Sequence, residues 1–259
     1  MRTRTAFVLA AAVVIGGVVI VAQQAAAAID RDTIVGMWLF EENAGDKVED
    51  MSGGDHDGVL EKGPEWAGGK YGTGLDFLGG GYVDLQDSAP DLAFGGAEPF
   101  TVVAWVNPRA GGTVVGKFNG GVIGAYIVSV TGSGGVTFHR EVAPWGHAGN
   151  GAVDAGEYWH VAATYDGSEM KIYVDGEEVA AQDRPAQNTD LVTPVFIGAR
   201  MTGGAPAEFY DGAIDEVGLF NVALSEDDVQ EAMRGLAGPE AVSAQGKAAV
   251  TWARLRSDR

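Results

Sequence analysis

The stretch WHVAATYDGSEMKIYVDG at residues 159–176 restricts what this chain can fold into more than any other. Apolar and polar residues alternate on both sides of Asp166-Gly167, and a second pair, Asp175-Gly176, precedes a third strand-like run over 177–182. Asp-Gly between alternating runs favours tight hairpins, because both residues tolerate the positive φ that such turns require. Val161, Ala163 and Tyr165 share one face of the first run, and Met170, Ile172 and Val174 share one face of the second. A period of two over three short runs predicts an antiparallel meander with one buried face.

Further along, IDEVGLFNVALS at 214–225 ends that pattern. Leu224-Ser225-Glu226-Asp227-Asp228-Val229 places a serine N-cap behind an apolar residue, with acids in the first turn. Leu224 and Val229 occupy hydrophobic-staple positions, and Gly235 stands where a C-terminal cap would end the helix after Arg234. One short helix is expected to close a domain made of strands.

Composition agrees. Forty glycines and nine prolines in a chain that is 46% hydrophobic indicate many short strands joined by tight turns. A length of 259 residues suits one large β-sandwich, with core enough to fold without staples. The chain has no cysteine, so packing and a bound ion are the remaining sources of stability. A net charge of −19 without a basic stripe excludes nucleic acid and anionic membranes as partners, and favours divalent cations and neutral or cationic ligands. Residues 1–28 have the pattern of an export signal: Arg2 and Arg4, an apolar run over 6–22, and Ala26-Ala27-Ala28 as a cleavage site. The expected divisions are a signal peptide over 1–28, a domain over 29–236 and a C-terminal tail over 237–259. The predicted location is secreted or extracytoplasmic, with an uncleaved anchor as the alternative to a cleaved signal and no membrane contact beyond that segment.

Four motifs in order resemble one family. VGMWLFEE at 35–42 is similar to its opening strand, and Asp50-Met51-Ser52-Gly53 with Asp57-Gly58 resembles its Asp-x-Ser-Gly loop. YGTGLDF at 71–77 and Tyr82-Val83-Asp84-Leu85 match its next hairpin, and Ile214-Asp215-Glu216-Val217 leads to the capped helix. Over about residues 34–235 the chain resembles a LamG-like jelly-roll domain of the concanavalin A-like lectin and glucanase superfamily. The resemblance implies an all-β fold: an antiparallel two-sheet β-sandwich of jelly-roll type with one short C-terminal helix.

Asp50, Asp55 and Asp57 put three carboxylates on a glycine-rich loop, a donor set suited to calcium, which takes six to eight oxygens. The resemblance implies a structural calcium between this loop and Asp215, with Glu41 as a further ligand and Gly54 where the family often carries asparagine. The loop does not match an EF-hand, and solvation of a charged loop is the alternative. Asp215 and Glu216 are adjacent, so on a regular strand they point to opposite faces and cannot form a retaining carboxylate pair. No zinc, nucleophile-elbow or phosphate-loop motif occurs.

His139, Arg140, Trp145 and His147 form the expected ligand loop, a tryptophan between proline and glycine with polar groups around it. The expected function is a secreted, non-catalytic recognition module for carbohydrate or glycosylated partners. The alternatives are a structural or adhesive exoprotein and a glycan-degrading enzyme of the same superfamily.

Overall fold

The structure, a computed structural model, describes residues 29–88, 90–120, 123–143, 153–186 and 189–237. The proposed signal segment and nearly all of the tail lie outside the described residues. Sixteen strands, among the described residues, form two hydrogen-bonded layers. The first layer runs β12 (Glu177–Asp183), β11 (Glu169–Val174), β10 (Trp159–Tyr165), the first half of β7 (Phe100–Gly120) and β16 (Asp211–Phe220). β16 also pairs with β1 (Ile34–Trp38) and with β5 (Thr73–Asp76), which carries β4 (Glu65–Gly68). The second layer runs β9 (Val136–Arg140), β8 (Ile123–Val130), the second half of β7, β13 (Phe196–Ile197), β6 (Tyr82–Asp84), β3 (Gly58–Glu61) and β2 (Lys47–Val48). A hairpin of β14 (Arg200–Thr202) and β15 (Ala205–Ala207) joins the end of β7 through a parallel pairing.

The meander forms as its alternation requires. Val161 opposes Val174, Ala163 opposes Ile172 and Tyr165 opposes Met170, and all six side chains enter the core between the layers. Trp38 lies inside that core, with Trp66 and Trp159 half-buried against it. Each fully buried Val, Leu, Ile or Phe side chain contributes about 1.5–3 kcal/mol, so this cluster is the main source of stability.

The expected hairpin over residues 71–85 does not form. β5 joins the first layer and β6 the second, so the turn after Phe77 carries the chain from one sheet to the other. Leu75 and Val83 both point into the core, which a crossing satisfies as well as a hairpin does.

The closing helix, α1 (Glu226–Ala232), starts at Ser225, whose side chain accepts from Asp228 N while Asp228 returns a bond to the Ser225 backbone. It ends at Met233, slightly before the glycine signal. Leu224, Val229, Ala232 and Leu236 cover Met37, Val103, Ala162 and Tyr173 on the outer face of the first layer.

A bulge in β16 departs from the regular alternation expected of Asp215 and Glu216. Asp215 opposes Trp105 and Gly218 opposes Val103, so two residues face Ala104 alone, and Glu216 adopts φ +50. Ile214 and Val217 both enter the core, and both carboxylates face outward. Asp215 accepts from Tyr71 N at 2.9 Å, and Glu216 accepts from Leu236 N at 2.6 Å. The two acids fasten the outer layer to the sheet. Glu216→Ala is expected to cost about 1–3 kcal/mol, because it leaves the Leu236 N–H buried without that acceptor. Denaturant unfolding measures this, with exposed Glu65→Ala as a control within about 0.5 kcal/mol.

Candidate ligand groove and acidic loops

Alternation along β9 sorts the residues of the expected ligand loop. Val136, Phe138 and Arg140 point into the core, while Thr137, His139 and Glu141 face the open side of the second layer. There they line an open groove of about 1150 Å³ with Ser129, Gln182 and Arg200. Register builds the floor: Ser129 opposes Thr137 and Ile127 opposes His139. His139 Nε2 lies 2.9 Å from Glu141 Oε2, and its ring meets Phe118 edge-on at 5.7 Å. Arg200 stands 4.9 Å over the Phe118 ring and pairs with Glu208 at 3.3 Å. Phe118 is only 9% exposed, so the groove presents hydroxyls and ion pairs more than an open aromatic platform.

Arg140 departs from its expected role. It is fully buried, 4.0 Å from the Tyr165 ring centroid and 5.0 Å from that of Phe100. Nη2 donates to Gly96 O at 3.1 Å, while Nε and Nη1 have no hydrogen-bond partner. Burial lowers its pKa to about 10. Strand alternation continued through 136–140 would have placed Arg140 beside Val136 and Phe138, and the polar character of the side chain argued the other way. Trp145 and His147 lie outside the described residues. The residues the sequence reading missed, Ser129, Thr137, Arg200 and Glu208, come together from three separate segments that no local motif marks, while Glu141 lay within the expected loop without a role.

The five acids expected to hold calcium divide. Asp50 accepts from Met37 N, Ser52 N and His56 N at 2.9, 2.9 and 3.1 Å, and His56 Nδ1 lies 3.3 Å from its Oδ2. Burial would raise the Asp50 pKa, but the His56 ring and the donors from Ser52 and Met37 outweigh it and hold it below the usual value. The bond to Asp50 in turn raises the His56 pKa against the effect of burial. The loop thereby covers β1, an edge strand that would otherwise expose its backbone. Asp57 pairs with Lys47 at 2.8 Å, and Asp55 is exposed with φ +62. Among the described residues no three His, Asp or Glu side chains converge as a cation site.

Glu41 and Asp215 meet at one turn, residues 69–73. A Cβ on Gly69 would lie 2.5 Å from Asp215 Oδ2, and one on Gly72 would lie 2.5 Å from Glu41 Oε2. Tyr71 N and Thr73 N donate to these carboxylates. Each of the two carboxylates is thus held against glycine backbone and accepts a main-chain N–H.

A family model described as the concanavalin A-like lectin/glucanases superfamily matches residues 77–230. Among solved structures, domain 4 of AbnA, a GH43 extracellular arabinanase from Geobacillus stearothermophilus in complex with arabinotriose, superposes with TM-score 0.60 at 19% identity. That match covers 76% of this chain and 97% of the other. The binding domain of Paraclostridial Mosquitocidal Protein 1 gives 0.59 at 14% identity, covering 77% of this chain and 51% of that one. A Trypanosoma rangeli sialidase mutant displaying trans-sialidase activity gives 0.59 at 20% identity, covering 79% and 33%. This chain thus spans nearly all of the arabinanase domain, half of the toxin domain and a third of the sialidase. At these identities the likeness establishes the fold. No curated protein matches the chain.

Two outcomes test these assignments. Arg140→Met replaces a buried, incompletely bonded cation with an apolar chain of similar length, so thermal melting should be unchanged or raised, by up to about 1–4 kcal/mol. A clear fall in the midpoint would mean that the ring contacts and the Gly96 bond outweigh the cost of burial. The raised His56 pKa makes its contribution complete below its ordinary value of about 6.5 and lost as pH rises through the folded value. The lowered Asp50 pKa makes its contribution complete above about 4 and lost as pH falls through the folded value. The midpoint difference between the native protein and His56→Gln should therefore peak between about pH 4 and 6.5 and shrink at higher pH. A difference that stays level from acid to alkaline pH would contradict the ion pair.

Proposed function

Because the chain belongs to the concanavalin A-like lectin/glucanases superfamily, we propose that it is a secreted, non-catalytic carbohydrate-recognition module. Its glycan binds in the groove on the open face of the second layer. The observation that carries this reading is the groove itself, where Ser129, Thr137, His139, Glu141 and Arg200 place donors and acceptors on a rigid sheet. Sugars present vicinal hydroxyls that both donate and accept, and mixed polar groups on strands can hold them without reorganisation. The complex of the arabinanase domain with arabinotriose makes an oligosaccharide a natural first ligand.

The superfamily includes both binding modules and glycosidases. Asp215 and Glu216 are almost completely buried and accept from backbone N–H groups, which supports a structural duty over acid–base chemistry. Calcium, held by Glu41 and Asp215, has the role of bracing the turn at 69–73 against β16. The leader-like residues 1–28 support export.

A glycan array on the exported protein is the direct test. Thr137→Ala and Ser129→Ala are each expected to weaken binding about 3- to 10-fold, the worth of one hydrogen bond, with unchanged melting. Trp145→Ala in the same array tests the one tryptophan among the ligand residues expected from the sequence. Saturable glycan binding indifferent to Thr137 and Ser129 would place the site elsewhere, and no glycan binding would favour an adhesive role between proteins. For the ion, chelator is expected to lower the melting midpoint of the native protein and leave that of Asp215→Asn unmoved, since a ligand of the folded state stabilises by mass action. Equal chelator effects on both proteins would remove calcium from these residues.

A further inference from the structure

Resting on the groove as the glycan site, we infer that it is built for uncharged polysaccharide, and that Glu208 and Glu141 set this selectivity by occupying Arg200 and His139. Each basic group in the groove already faces an acid: Arg200 Nη2 lies 3.3 Å from Glu208 Oε1, and His139 Nε2 lies 2.9 Å from Glu141 Oε2. The acids come from different segments, Glu141 from the end of β9 and Glu208 from the loop after β15, so the pairing is not an accident of one turn.

These pairs read hydroxyls well and carboxylates poorly. A carboxylate has about four lone-pair sites and a guanidinium five N–H donors, so a single ion pair leaves acceptors and donors side by side for a diol. A uronate carboxylate must instead share the Arg200 guanidinium with Glu208. That sets one carboxylate beside another, a like-charge contact that disfavours the uronate against a neutral sugar. The wider surface adds to this, because a chain of net charge −19 repels polyanions at a distance. The same groove also presents Ser129 and Thr137, opposed in register, which carry no charge.

Glu208 is the stronger lever, since its side chain is 59% exposed and its removal disturbs little packing. Glu208→Gln keeps the size of the side chain and frees the Arg200 guanidinium from its carboxylate partner.

The experiment is calorimetric titration with two probe classes: neutral arabinan, xylan and mixed-linkage glucan, against polygalacturonate and alginate. The native protein is expected to bind at least one neutral polymer and to bind both uronates at least tenfold more weakly. Glu208→Gln should improve the uronate-to-neutral ratio about tenfold, with the gain lost at high salt. The double variant Arg200→Gln/Glu208→Gln should return to the neutral preference. Uronates bound by the native protein as tightly as neutral polymers, or a ratio unmoved by Glu208→Gln, would overturn the selectivity while leaving the groove as a glycan site. Binding of neither class would overturn the groove reading itself, and the selectivity with it.

Discussion

β7 is 21 residues long and belongs to both layers, so its bend is the constraint on which the rest of the sandwich depends. Its first half pairs with β10 and β16, and its second half pairs with β8 and β13. The change of layer falls at Gly111 and Gly112, with φ of +84 and +128. A Cβ on Gly111 would strike Val130 O, and one on Gly112 would strike Phe209 O. Only glycine meets both demands, a positive φ and backbone approached by backbone. Once the strand bends there, its apolar residues from both halves face one core, and the groove on the far side of the second layer becomes a rigid surface.

The outer face of the first layer is organised by a second irregularity. The bulge at Asp215 and Glu216 turns two adjacent acids to one side, where backbone N–H groups from the turn at 69–73 and from the end of the helix meet them. Each bond satisfies a donor in a segment that is not itself part of the sheet. Charge is thereby spent on fixing loops, and the same is true of Asp50, which binds three N–H groups and His56 at the edge of β1. An acidic surface loop in this fold is a structural fastening before it is a metal site.

Burial of cations runs the other way. Arg140 lies in the core against Phe100 and Tyr165, and Lys117 is fully buried with its ammonium on Thr193 O. Desolvation lowers the pKa of both, to about 10 and about 8. Neither faces the groove. The groove's own basic side chains, Arg200 and His139, each sit with an acid.

The sequence by itself determined the layered all-β architecture, the meander, the capped helix and the family, because periodicity, Asp-Gly turns and capping residues act over a few positions. The resemblance implied a shared site for Asp215, Glu41 and the loop at Asp50, and of these Glu41 and Asp215 lie at the turn over 69–73. Tertiary structure decided the remainder. Whether β5 and β6 form a hairpin or cross between layers is equally compatible with their alternating pattern, and only the partners β16 and β3 settle it. Glu216 faces outward because of a bulge that no local pattern announces. Arg140 points inward and His139 outward because the strand runs through both residues, into the expected ligand loop, and a side chain's face reverses with every residue. The groove depends on distant segments meeting across a bent strand, and that meeting is a property of packing in three dimensions, which adjacency along the chain does not encode.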